Sequence, residues 1–181
     1  MTDIFEKHYA LLITNVAVNG KPVDIFIDAT GIIGGIGEHE RKKHKGEAEF
    51  IIDGDGAIAL PGMVNTHTHA AMTLLRGYAD DMVLQDWLSQ KIWPLEAHLT
   101  GDDVFWGTRL ACLEMIRSGT TAFNDMYFFM EDAARAVEQS GIRSVLSYGF
   151  IDLFDAEKRE REIKATQNLV AYVRNLKKSP D

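Results

Sequence analysis

Two histidines separated by one residue, His67 and His69, are the side chains of this sequence best suited to chemistry. They end a short apolar segment that starts directly after Pro61-Gly62. Alternate side chains of a β-strand leave the same face, so a strand here directs both imidazoles to one side. Neutral imidazole binds Zn²⁺, Fe²⁺, Co²⁺ or Ni²⁺ better than Mg²⁺ or Ca²⁺. The pair therefore predicts two ligands of a transition-metal site, with a purely structural pair of inward-facing histidines as the alternative.

The order of the predicted elements places this pair at the end of the first strand of a parallel sheet. Strands are predicted over 63–69, 121–126 and 142–151, and helices over 84–96, 102–117, 130–139 and 156–176. Such an alternation is typical of a parallel sheet with right-handed crossovers. When such a sheet closes into an α/β barrel, catalytic residues lie at the carboxyl ends of its strands. The histidines, followed by a predicted loop up to about residue 81, occupy such a position.

Two kinds of local signal set the helix bounds. Thr100 and Asp103 form a pattern like a capping box, with aspartate in place of the usual glutamate, and predict a helix start. Gly119 and Gly141 each follow a helical stretch, where a glycine typically ends a helix. These signals support the alternation of helices and strands.

Residues 1–60 have a different pattern, with short apolar strands separated by turns, and are predicted as a β-sandwich segment. Asn19-Gly20 lies between two such strands and predicts a tight hairpin, because both residues tolerate positive φ. The basic run at 41–45 is predicted to be a solvated hairpin tip, although a run of this kind is also able to bind an anion. Residues 61–181 then form the predicted α/β part.

Composition excludes several classes of function. The chain has 181 residues, of which 46% are hydrophobic and 25% charged, and a net charge of -8. This acidic balance argues against a nucleic-acid or anionic-membrane partner, and no apolar run reaches the ~18 residues of a membrane span. The single cysteine, Cys112, cannot form an internal disulfide, which predicts a cytoplasmic location. A complete (β/α)8 barrel needs roughly 200 to 250 residues, so this chain has room for only part of one.

Residues 61–81, PGMVNTHTHAAMTLLRGYADD, resemble the metal-dependent amidohydrolase superfamily, whose first barrel strand ends in His-x-His. More narrowly, they resemble its 5′-methylthioadenosine/S-adenosylhomocysteine deaminase branch, which includes archaeal 5′-deoxyadenosine deaminases. Four further segments carry the same resemblance: Asp86-Trp87-Leu88, Trp93-Pro94-Leu95-Glu96, Ser118-Gly119-Thr120-Thr121 and Asn124-Asp125-Met126-Tyr127.

The resemblance implies a fold and three site residues. The chain is expected to hold the N-terminal part of a composite β-sandwich, residues 1–60, and about three βα units of a TIM-type (β/α)8 barrel, residues 61–181. His67 and His69 match two ligands of one divalent metal ion, zinc foremost, with iron, cobalt or nickel as alternatives. Glu96 matches an acidic residue that accepts hydrogen bonds from ribose hydroxyls; the alternative is an exposed glutamate at a helix end. Trp87 and Trp93 are candidates for the walls of a nucleoside pocket, or else core residues.

The implied activity is metal-dependent hydrolytic deamination at C6 of adenosine derivatives to the inosine analogue and ammonia. The expected substrates are 5′-deoxyadenosine, 5′-methylthioadenosine and, less favoured, S-adenosylhomocysteine or adenosine. The product chemistry fits salvage of S-adenosylmethionine by-products, and the complete enzyme is expected to be a homo-oligomer. The other metal ligands and the general acid/base are expected from later barrel strands, so no catalytic residue is assigned here and this chain alone is expected to be inactive.

Three alternative identities remain open for the chain, and at one position its sequence differs from related enzymes. The chain could be a non-catalytic or assembly-dependent fragment, or belong to another amidohydrolase, such as a guanine or chloro-triazine hydrolase; Glu96 argues against the latter two because their substrates lack ribose. Relatives that accept a charged amino-acid tail carry a basic residue near the end of the third strand. Tyr148 stands there, which predicts a small or apolar 5′ substituent.

Overall fold

The computed structural model describes residues 9–152 and 154–176, in two compact units whose boundary falls between Pro61 and Gly62. Parts of the two predicted segments, at 1–8, 153 and 177–181, lie outside the described residues. Among the helices that are described, none is long and apolar enough to cross a membrane.

The first unit contains four strands and one short helix. Its elements are β1 (Leu11–Val18), β2 (Lys21–Ile27), β3 (Ile33–Gly37), α1 (Glu40–His44) and β4 (Phe50–Asp53). The strands form one sheet in the order β3-β2-β1-β4, in which β1 pairs antiparallel with β2 and parallel with β4. A buried apolar cluster in this unit consists of Ala10, Leu12 and Phe26. The described residues of the predicted sandwich segment therefore supply a single sheet layer.

The turn at Asn19-Gly20 is confirmed. Both residues have positive φ, 51° and 75°, and they join β1 to β2 as an antiparallel pair. Asparagine and glycine are the residues that adopt this conformation most readily.

The prediction of a hairpin tip at residues 41–45 is wrong. Most of the run lies in α1, and β4 then pairs parallel with β1, which a hairpin could not achieve. The buried carboxylate of Glu40 explains the helix, because Lys43 Nζ lies 2.9 Å and His44 Nε2 3.3 Å from its oxygens. The opposite charges of Glu40 and Lys43, three residues apart, stabilise the helix and offset part of the repulsion within the basic run.

The second unit is a parallel βα structure. Its strands are β5 (Met63–Thr68), β6 (Thr120–Tyr127) and β7 (Arg143–Tyr148). Its α-helices are α2 (Leu84–Trp87), α3 (Trp93–Glu96), α4 (Gly101–Arg117), α5 (Met130–Ser140) and α6 (Ala156–Leu176). The strand order is β5-β6-β7, with parallel pairing throughout. The predicted alternation is thereby confirmed, although β7 is shorter than the predicted strand.

Helix α4 begins and ends as its sequence predicts. The Thr100 hydroxyl accepts a hydrogen bond from the Asp103 amide, and the Asp103 carboxylate accepts one from the Thr100 amide. Gly119, with φ of 84°, follows the end of the helix. Cys112 is fully buried in the face that α4 turns to the core.

The segment after β5, predicted as a loop, instead begins with a 3₁₀ helix, Ala70–Leu75. It packs closely on α4 at Gly107, where an added Cβ would lie only 2.5 Å from the Ala71 carbonyl oxygen. This close approach requires glycine in the middle of α4 and fixes the chain that follows the two histidines.

Candidate metal and substrate site

His67 and His69 lie next to each other at the carboxyl end of β5. Their ring centroids are 5.3 Å apart and their planes are nearly perpendicular, at 87°. His67 is exposed and His69 half-buried. The structure therefore brings the two predicted ligands to one point, as the alternation of side chains along a strand requires.

The ring of His69 is held in one orientation by the neighbouring strand. Its Nδ1 lies 2.7 Å from the Met126 carbonyl oxygen at the end of β6. A carbonyl only accepts, so Nδ1 donates, and in a neutral imidazole Nε2 then has a free lone pair. Histidines that bind metals typically make such a bond through the other ring nitrogen, because it fixes both the tautomer and the ring orientation. His69 thus fits a metal ligand in geometry as well as in type.

The two histidines fit part of a ligand set. Among residues 9–152 and 154–176, no group of three or more His, Cys, Asp or Glu side chains is arranged to hold a metal. Catalytic zinc typically has three protein ligands. A metal held by His67 and His69 therefore needs ligands beyond those that this part of the chain brings together.

Asp125, on β6, links the carboxyl ends of β5 and β6 next to the histidines. Its side chain is completely buried, and its Oδ1 accepts hydrogen bonds from the Thr68 hydroxyl and the Ala70 amide, each at 2.8 Å. Burial raises the pKa of this carboxyl, while the bonds from Ala70 and Thr68 oppose that rise. Because both partners flank His69 in sequence, Asp125 fixes the backbone that carries the histidine.

Glu96, at the end of α3, lies on the same cavity as His69. The cavity has a volume of about 290 Å³, and Trp87, Trp93 and Tyr127 also line it. Glu96 is half-buried, and the Tyr127 hydroxyl donates a hydrogen bond of 2.8 Å to its Oε1. The glutamate is therefore not a freely solvated residue at a helix end.

A π-helical turn lies between Trp87 and Trp93 and shapes the side of the cavity that they line. Leu88–Ile92 forms the turn and joins α2 to α3. Nine residues of a regular α-helix make 2.5 turns, which would place Trp87 and Glu96 on opposite faces. The wider π turn reduces the rotation, so that both residues line one cavity. The apolar spacing predicted a helix here, but nothing in it indicated the π turn.

Sequence reasoning singled out no role for Tyr127. The signal that could have found it is the alternation along β6, where Phe123, Asp125 and Tyr127 are buried and the residues between them are exposed. A tyrosine on the buried face needs a partner for its hydroxyl. Glu96 is that partner, 31 residues earlier in the chain.

Tyr148 stands at the end of the third strand, where the sequence predicted no basic residue. Tyr148 is half-buried, and burial raises the pKa of its phenol, so it is uncharged at neutral pH. However, Lys158 on α6 lines a second cavity of about 370 Å³ that shares Trp93 and Glu96 with the first. A cation therefore lies near Glu96, supplied by a helix rather than by the end of the third strand.

The chain is similar to known proteins in sequence and in fold. Residues 58–180 match the amidohydrolase family, and the chain belongs to that family. It is 72% identical over 177 residues to the 5′-deoxyadenosine deaminase of Methanoregula boonei, an alignment that covers 98% of this chain and 40% of that protein. The chain thus spans about 40% of the length of this curated relative and corresponds to its N-terminal portion.

Solved structures confirm the predicted fold class. The chain is similar to an adenosine deaminase from Xanthomonas campestris with bound zinc, with a TM-score of 0.75 and 33% identity over 88% of this chain and 38% of that one. A triazine hydrolase from Arthrobacter aurescens matches with a TM-score of 0.72 and 22% identity, over 90% of this chain and 42% of that one. The second likeness shows the fold alone.

Proposed function

We propose that this chain is the N-terminal portion of an enzyme that hydrolytically deaminates adenosine derivatives, 5′-deoxyadenosine foremost, to the inosine analogue and ammonia. The observation that carries the proposal is the single cavity lined by both His69 and Glu96. One residue suits a metal and the other suits ribose hydroxyls, so a nucleoside bound there would present different groups to each. The 72% identity to a 5′-deoxyadenosine deaminase supports the same substrate.

His67 and His69 are the residues that would hold the metal, with further ligands supplied by the rest of the polypeptide. A bound divalent ion, zinc foremost, supplies the Lewis acidity that favours attack of water on C6. Zinc in a solved relative supports this choice of metal.

The residues of this chain bind and orient the substrate. The Glu96 carboxylate accepts hydrogen bonds from the ribose hydroxyls, since an ionised carboxylate offers two acceptor oxygens. Trp87 and Trp93 provide apolar walls that bury the purine or its 5′ group and exclude water. The bond from His69 to Met126 keeps the imidazole in place while the substrate enters.

The edges of the second unit support a partial barrel completed by further strands. Met63 and Val64 on β5 and Val145 on β7 are each more than half exposed. Exposed apolar side chains on edge strands are a liability unless other strands or helices cover them. An assembly-dependent fragment would instead need a second chain to cover the same edges.

We further propose that the complete protein is a cytoplasmic homo-oligomer that acts in salvage of S-adenosylmethionine by-products.

The test is deamination by the complete, zinc-loaded polypeptide. 5′-Deoxyadenosine, 5′-methylthioadenosine, adenosine and S-adenosylhomocysteine are compared by the adenine-to-hypoxanthine absorbance change and by ammonia release. We expect turnover that a chelator abolishes and zinc restores. Guanine and a chloro-triazine are the control substrates, because neither contains ribose. Metal-dependent turnover of a control alone, or of nothing, contradicts the proposal.

The position of Lys158 favours S-adenosylhomocysteine as a second candidate substrate. Lys158 lines the second cavity together with Glu96 and Glu162, so this cavity offers a cation to the carboxylate of an amino-acid tail. Tyr148 favours a small or apolar 5′ group instead. The ratio of kcat/KM for S-adenosylhomocysteine and 5′-deoxyadenosine in the same assay decides between them: a ratio well below one supports the prediction from Tyr148, and a ratio above one overturns it.

A further inference from the structure

The hydrogen bond between Tyr127 and Glu96 links the second barrel strand to the cavity wall. The tyrosine hydroxyl lies 2.8 Å from Glu96 Oε1, and Tyr127 is only 3% exposed. A carboxylate oxygen accepts, so the phenol must donate. Burial, followed by the bond to Glu96, raises the pKa of Tyr127, so the phenol keeps its proton throughout the neutral range.

Tyr127 is itself rigidly placed. It ends β6, where it lies opposite Tyr148 of β7, and its ring packs among buried residues that include Met130 and Ala133. Its ring centroid is 6.3 Å from that of His69. The phenol is therefore a fixed point between the candidate metal ligand and the candidate ribose acceptor.

Glu96, by contrast, is the last residue of a short helix and has a long side chain. Three rotatable bonds separate its carboxylate from the backbone, and this freedom must be lost before the carboxylate can accept hydrogen bonds in one direction. A donor at Oε1 removes most of that freedom and leaves Oε2 available. The bond thus restricts the directions in which the other oxygen can accept a hydrogen bond.

We propose that Tyr127 is a positioning residue that orients the Glu96 carboxylate toward the ribose hydroxyls of a bound nucleoside. This inference rests on the proposed function. Tyr127 does not touch the reacting atoms; it acts through Glu96 by setting the direction in which the free oxygen accepts. Loss of the phenol hydroxyl therefore weakens nucleoside binding more than it slows the chemical step.

The variant Tyr127→Phe of the complete polypeptide tests this, because it removes one oxygen and keeps the packed ring. We expect KM for 5′-deoxyadenosine to rise by about 10-fold, the loss typical of a hydrogen bond to a charged group, and kcat to change by less than about threefold. Tyr172→Phe is the matched control: it makes the same change at a half-buried tyrosine on α6 that lines neither cavity. Thermal unfolding of both variants shows whether either is merely destabilised.

A double-mutant cycle separates positioning from a structural role. In a Glu96→Ala background, Tyr127→Phe should raise KM by less than about twofold, because the carboxylate that it orients is gone. With 2′,5′-dideoxyadenosine, which lacks one ribose hydroxyl, the effect of Tyr127→Phe should also shrink.

The outcomes distinguish this inference from the function on which it rests. An active wild type in which Tyr127→Phe behaves like Tyr172→Phe overturns the inference alone. An equal KM effect with and without Glu96 also overturns it, because the phenol would then act independently of the carboxylate. Absence of nucleoside deamination by the wild type overturns the proposed function, and this inference with it.

Discussion

Two aspartates, one in each unit, have similar partners but opposite surroundings. Asp28, in the turn after β2, accepts hydrogen bonds from the Thr30 hydroxyl, the Thr30 amide and the Ile32 amide. Asp125, at the end of β6, accepts them from the Thr68 hydroxyl and the Ala70 amide. Each carboxylate therefore combines a threonine hydroxyl with at least one backbone N–H group.

The difference lies in sequence distance and burial. The partners of Asp28 are two and four residues away, and the turn is open to solvent. The partners of Asp125 are 57 and 55 residues away, and its side chain is completely buried. Hydrogen bonds, that from the Thr30 hydroxyl first, lower the pKa of Asp28, whereas burial raises the pKa of Asp125. The first aspartate shapes a local turn, and the second holds together the strand ends that carry the candidate site.

The largest effect is expected when histidines of the two units are replaced. His67→Ala or His69→Ala in the complete polypeptide should lower the bound zinc well below one per chain and reduce kcat/KM by more than about 100-fold, because even loss of a residue that only supports a ligand costs 10- to 100-fold. Metal analysis and the deamination assay measure both effects.

His39→Ala is the matched control, since His39 is an exposed histidine of the first unit. It should leave metal content and activity unchanged. Equal losses in the control, or full zinc content in both site variants, would contradict the assignment of the ligands.

A second test replaces the two aspartates themselves. Asp125→Ala leaves the buried Ala70 amide without its acceptor and should lower the free energy of unfolding by about 2 kcal/mol. Asp28→Ala should cost less, because water can replace the carboxylate at an open turn. Urea unfolding of the complete polypeptide compares them, and an equal or larger loss for Asp28→Ala would reverse the comparison.

The smallest expected effect is on pH dependence. The pKa of Asp28 is lower in the folded state than its ordinary value of 3.8. The unfolded chain therefore binds this proton more readily, and the stabilisation is complete above the ordinary value and is lost as pH falls through the folded pKa. The difference in thermal midpoint between the wild type and Asp28→Asn should narrow between about pH 5 and pH 3. A difference that widens toward acid would show that the sign is wrong.

Local signals predicted much of the fold. The Asn19-Gly20 turn, the capping box of Thr100 and Asp103, and the helix over 156–176 depend on residues close in sequence, and all three are confirmed. The short helix within the basic run was missed because its stability depends on a buried Glu40 carboxylate that the charge pattern alone does not reveal.

In the candidate site, too, some features follow from local sequence and others do not. The spacing of His67 and His69 predicted a shared face, and the structure places their rings together. The bonds that hold the site, from His69 to Met126 and from Tyr127 to Glu96, join residues 57 and 31 positions apart. Contacts of that kind depend on how the strands pair, which no local pattern in the sequence specifies.

We propose that His67, His69 and Glu96 act together on one nucleoside. The most direct measurement is a crystal structure of the complete polypeptide with zinc and 5′-deoxyinosine, the expected product. We expect ring nitrogens of both histidines at about 2.0–2.1 Å from the metal and a Glu96 oxygen within about 3 Å of a ribose hydroxyl. A metal bound elsewhere, or a ribose that lies away from Glu96, would contradict it.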